Sequence, residues 1–163
     1  MKRQGAVGAL LDIYEQAITD LKYAIADIPA NVLTIIIDPQ ATDHNCKSIQ
    51  TILTHLVHSG FGYSTSIHNL KGNQIQRPDK VFHQTIEAYL NDLDKVFIFT
   101  ENIFKYIKDD ELEALGNSGK IKTGWGQWYD VEQITEHAIV HVLRHKRQIE
   151  KIKLSKEYLA IIG

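Results

Sequence analysis

Residues 131–153 read VEQITEHAIVHVLRHKRQIEKIK, and this stretch decides the fold. On a wheel of about 100° per residue with Ile134 at zero, Ile152 returns to about 0° and Ala138 falls at about +40°, which predicts a helix with one apolar stripe. His141 lands at about −20° and His145 at about +20°, so two histidines are expected at the centre of that stripe. Their i,i+4 spacing makes them neighbours, and it is the spacing by which a helix presents two imidazoles to one ion. His137 lies at about −60°, at the stripe's edge, and is the weaker candidate.

Working outward, residues 109–130 mix Gly116-Asn117-Ser118-Gly119 with Thr123-Gly124-Trp125-Gly126-Gln127-Trp128-Tyr129, a composition that predicts a long irregular connection with a short ordered turn. Before it, Ile86, Tyr89, Leu90, Leu93, Val96, Phe97, Phe104 and Ile107 repeat at helical spacing and predict a helix over 84–108. A further helix over 48–70 follows the capping residues Asp43 to Ser48 and is expected to end around Lys71-Gly72-Asn73. The first helix, 7–28, carries Leu10, Ile13, Tyr14, Ala17, Leu21, Ala24, Ile25 and Ile28 on one face and is stopped by Pro29. Residues 32–37, Val-Leu-Thr-Ile-Ile-Ile, have strand propensity but no comparable run to pair with, so they read as a packed connection. The expectation is an all-α chain: a four-helix bundle with long connections, forming one domain over 1–163 without internal repeats.

Composition agrees with this. The chain has 163 residues, 44% hydrophobic and 23% charged, enough to bury a core without disulfides and unlike a disordered or low-complexity sequence. A net charge of −2 gives no field that gathers nucleic acid or anionic lipid. Cys46 is the one cysteine, which excludes an internal disulfide and multi-cysteine zinc sites, so any metal must be held by nitrogen and oxygen. Asp12 and Glu15 interrupt the apolar start before a signal-peptide core forms, and no run approaches the ~20 apolar residues of a membrane span, so a cytoplasmic protein is expected.

The second helix adds His55 and His58. With Ile52 at zero, His55 falls at about −60° and His58 at about −120°, which makes His55 the better placed to face inward. Ser59 and Gly62 follow it at i+4 and i+7 and leave room beside it. Three neutral imidazoles from two helices would bind a divalent ion at about 2.0–2.1 Å and leave positions open, as catalytic sites do. The competing reading is a metal-free polar network of buried histidines in an interaction or small-molecule binding module. No Glu lies within His141-Val142-Leu143-Arg144-His145, so the in-line base of His-Glu-x-x-His peptidases is missing.

SIQTILTHL at 48–56 and HVLRHKRQI at 141–149, in this order and with a helix and a long connection between them, resemble the DinB-like or YfiT-like family of damage-inducible four-helix-bundle metalloenzymes. The resemblance covers nearly the whole chain. It implies up-down-down-up connectivity, a divalent metal held by His55, His141 and His145, and frequently a homodimer. Zn, Ni, Fe and Mn all suit such a ligand set. It also implies activities of the thiol-dependent S-transferase kind, with a low-molecular-weight thiol as partner, or of the hydrolase kind.

Other features are secondary. Arg144, Lys146, Arg147, Lys151 and Lys153 make a basic end to the last helix, which the macrodipole alone favours, and interspersed acids break any continuous nucleic-acid surface. Trp125, Trp128 and Tyr129 are read as a lid over the histidines or as a plug at the bundle end. Cys46 is assigned no role. Ile139, Val140 and Leu143 lie away from the histidine stripe and predict a second apolar face, most simply a two-fold dimer surface.

Overall fold

The computed structural model describes residues 2–72 and 74–163. Four long helices, α1 (Gly5–Ile25), α2 (Ile49–Asn69), α3 (Ile86–Phe104) and α4 (Val131–Lys153), pack as a bundle, followed by a short α5 (Lys156–Ile162). Local chemistry sets their starts. The Ser48 hydroxyl accepts from Thr51 N while Thr51 Oγ1 accepts from Ser48 N, and Asp130 and Gln133 do the same for α4. Thr85 caps α3 and Ser155 caps α5. The first helix has no side-chain cap of its own; Asp109, arriving from the far side of α3, accepts from Val7 N and sets its charge against the positive end of α1.

Expected boundaries hold closely for α2 and α4. α1 ends at Ile25 rather than Ile28, and α3 at Phe104 rather than Lys108, because tighter turns take over while Ile28 and Ile107 stay buried. At the end of α2, Gly72 takes a φ of +86°, the left-handed conformation that closes helices; Asn73 lies outside the described residues. α5 was not expected from the sequence.

Contacts fix the helix directions. Thr54 meets Tyr89 and Ser64 meets Thr100, so α2 and α3 run parallel. Arg3 reaches Glu101 whereas Lys22 reaches Asp94, so α1 opposes α3. His55 faces His145 and Tyr63 faces His137, so α2 opposes α4. Lys153 donates to the Ala24 carbonyl, placing the end of α4 beside the end of α1. The order around the bundle is α1, α4, α2, α3 and the connectivity is up-down-down-up, as the family resemblance implied.

Two parallel neighbours need a long return, and its described residues 74–85 run along the outside of α2 and α3. Gln50 Nε2 donates to the His83 carbonyl, and the Tyr89 hydroxyl accepts from His83 N. The earlier connection is packed and forms no strand, as expected: Val32 and Leu33 are fully buried, and Leu33 O accepts from Gln50 N. Within 109–130 the structure is more regular than expected. Ile121–Lys122 (β1) pairs antiparallel with Trp128–Tyr129 (β2), and Gly126, at φ +91°, makes the turn between them.

The core stripe of α4 differs from the sequence expectation. Its buried residues are Val131, Ile134, Thr135, Ala138, Ile139, Val142, His145 and Ile149, which centre about 60° round from Ile134 on the ideal wheel. Packing against α1 as well as α2 rotates the stripe, so the histidine pair sits on its α2-facing flank rather than at its centre. Ile139 therefore belongs to the chain's own core, 7% exposed, and leaves the expected association face; Val140 and Leu143 are exposed at 58% and 37%.

Candidate metal centre

Because α2 and α4 run antiparallel, the first half of one faces the second half of the other. This brings together His55, His141 and His145, whose ligating nitrogens lie within 4.8 Å of one another. His141 Nε2 is 2.9 Å from His55 Nε2 and 3.1 Å from His145 Nε2. Two imidazole nitrogens bound at about 2.0–2.1 Å would stand about 2.9 Å apart at a right angle and about 3.4 Å apart at a tetrahedral one, so both short separations fit neighbouring ligands of a single ion, and a small ring movement that closes the 4.8 Å spread of the group lets all three share it. His145 is buried; His55 and His141 are half-buried, and His55 lines a cleft.

The opposite edge of each ring is also engaged. His145 Nδ1 donates to Gln148 Oε1 at 2.8 Å, His141 Nδ1 faces the Tyr63 hydroxyl at 3.3 Å, and His55 Nδ1 faces Ser59 Oγ at 3.5 Å. A proton held on Nδ1 leaves the Nε2 lone pair free, which is how outer partners orient metal-binding histidines. His141 Nε2 stands close to both other Nε2 atoms, and facing lone pairs repel unless a cation or a shared proton lies between them.

Electrostatics favour the neutral, ligating form. Burial, then the neighbouring His145, pushes His55 down to about 4. Burial, then His145 and His55, pushes His141 down to about 3. Burial also lowers His145. Asp43, which caps the turn before α2, opposes this at His55 and His145, and its carboxylate is the nearby negative charge. Burial pushes Tyr63 up to about 12, so its hydroxyl stays protonated at neutral pH.

The remaining histidines are outside the trio, although the His137 ring stacks on that of His141 at 6.1 Å. His137, the weaker candidate, stands in an aromatic stack, with Trp125 parallel to it at 4.8 Å and Tyr63 edge-on at 5.5 Å. His58 lines a separate small cavity with Asp79 and Asp92. Of the three aromatics read as a lid or plug, Trp125 borders the cleft beside the histidines, whereas Trp128 packs with Lys122, whose ammonium lies 5.9 Å from the ring centre. Cys46 is a free thiol outside the cluster. The basic end of α4 is partly neutralised, Lys146 pairing with Glu150 and Lys153 with Asp27.

Sequence reasoning missed the functional setting of Gln148, Tyr63 and Asp43. Gln148 had a readable signal, an amide three residues after a candidate ligand. Tyr63 looked like one more core residue of α2, and Asp43 like a helix cap. Among the described residues, no helix is long and apolar enough to cross a membrane. Compared with family models, curated proteins and solved structures, the chain matches none.

Proposed function

We propose that this is a divalent-metal protein of the DinB-like type, with the ion on the Nε2 atoms of His55, His141 and His145. It acts as a metal-dependent enzyme of the S-transferase or hydrolase kind on a small molecule, a low-molecular-weight thiol being the candidate partner. The observation that carries the reading is the convergence of three Nε2 atoms whose Nδ1 edges are engaged from behind. A divalent ion with three imidazole ligands supplies Lewis acidity and lowers the pKa of the water or thiol it accepts. The chain's own groups then have defined tasks. Gln148, Tyr63 and Ser59 orient the rings, the negative charge of Asp43 favours a cation beside His55 and His145, and the cleft beside His55 admits the substrate.

Elemental analysis of freshly purified, dialysed protein tests this directly. One divalent ion per chain is expected, and a His141→Ala, His145→Ala protein should lose it. Unchanged stoichiometry in the double variant would overturn the assignment. The short separations, 2.9 and 3.1 Å, also suit hydrogen bonds between rings, which supports the rival reading, a metal-free network in a binding module. Protein free of metal, and not stabilised by adding one at pH ~7–8, would establish that rival.

A further inference from the structure

The cleft beside His55 continues along α2 for some distance past the histidines. Its volume is about 460 Å³, the size range of small-molecule sites. His55, Ser59, Gly62 and Ser66 line it in succession, so its floor is made of small side chains. At about 1.5 Å per residue, Gly62 lies about 10 Å from His55 along the helix.

Three features gather at this far end. Arg77, from the 74–85 return, lays its guanidinium directly over Gly62: a Cβ there would stand 2.9 Å from Nη1. Lys122, from β1, also lines the cleft, with its ammonium over the Trp128 ring. Neither cation forms a salt bridge among the described residues, and no Asp or Glu lines the cleft.

The third feature is Thr65. It is only 7% exposed, it lines the same cleft, and its Oγ1 has no hydrogen-bond partner among the described residues. The other buried helical threonines all find partners: Thr100 donates to Val96 O and Thr135 to Val131 O, while Thr54 meets the Tyr89 hydroxyl. Leaving a buried hydroxyl unpaired is costly, and the group is supplied with a partner if a ligand atom reaches it.

We propose that the far end of the cleft binds the anionic group, a carboxylate or a phosphate, of a small organic molecule whose other end reaches the three histidines. Arg77 supplies the charge, Thr65 donates a hydrogen bond, and Trp125 offers a flat apolar wall. The anion site stands on its own residues; the placement of the opposite end rests on the metal reading above.

Calorimetry on the full chain separates the two. Metal-free protein is titrated with octanoate, octyl phosphate and neutral octan-1-ol, and the favoured anion identifies the head group. At least one anion should bind more tightly than the alcohol, with affinity falling about tenfold in Arg77→Gln and in Thr65→Val, the usual effect of losing a charge-assisted or buried hydrogen bond. Arg77 is exposed on a loop, so its variant keeps the fold, which circular dichroism checks. Cobalt-loaded protein is then titrated with 8-mercaptooctanoate, 8-mercaptooctan-1-ol and 3-mercaptopropionate, reading the thiolate-to-cobalt absorption. The long carboxylate should bind best, and only its advantage should vanish in Arg77→Gln. Failure of cobalt to bind, with octanoate or octyl phosphate still dependent on Arg77, would refute the metal reading and leave the anion site standing. Equal affinities for anions and alcohols in wild type and Arg77→Gln would overturn the anion site whatever cobalt does.

Discussion

Gln148 shows how a single side chain can tune the centre without touching an ion. Its Oε1 holds the proton on His145 Nδ1 at 2.8 Å and so keeps the Nε2 lone pair turned toward His141. Replacing it with alanine frees the ring to rotate and to change tautomer. Metal affinity in Gln148→Ala should fall by about 10- to 100-fold, as for other outer-shell partners, with the fold retained; chelator competition measures it. The residues legible in the sequence were those whose spacing carried the chemistry. His141 and His145 were found because i,i+4 imidazoles on one face have few other uses, and His55 because the helical wheel turned it further inward than His58. Arg77 left no trace, since a loop residue reaches its place through the path of the chain and no periodicity records that path.

At the level of the helices, periodicity located α1 to α4, and capping residues announced the start of α2. What it mistook was rotation. A wheel built on Ile134 assigns one partner to α4, whereas the helix packs on both α1 and α2, and its buried arc widens and turns accordingly. α1 shows the converse, for Ile13 fits the apolar pattern yet is 55% exposed. The short α5 was missed because seven residues carry too little periodic signal. Helix approach also makes a prediction. Gly60 lies where α2 crosses α3, and a Cβ there would come within 2.6 Å of Val96 Cγ1, the tip of a stiff β-branched side chain. Gly60→Ala should therefore lower stability by about 1–3 kcal/mol in chemical denaturation, although alanine is the better helix former at an open site.

For the molecule as a whole, the buried imidazoles tie stability to acidity. His55 and His141 titrate at about 4 and about 3 in the folded chain, below the ordinary value of 6.5, so between these limits the unfolded chain binds more protons. Stability is then fully present above pH ~6.5 and is lost progressively as the pH falls toward those lower values. Thermal unfolding of metal-free protein should show Tm dropping from pH ~7 to ~4, with a shallower drop in His141→Gln; a flat profile would mean the rings are less enclosed than they stand here.

The antiparallel facing of α2 and α4 pairs their turns one to one: 55 with 145 at one level, 63 with 137 two turns further along. Sliding α2 by the one turn that puts Ser59 where His55 now stands would carry that imidazole past His145 and dissolve the trio. The two helices thus behave as a combination lock, in which the distant loops that choose the alignment govern the chemistry as firmly as the histidines do.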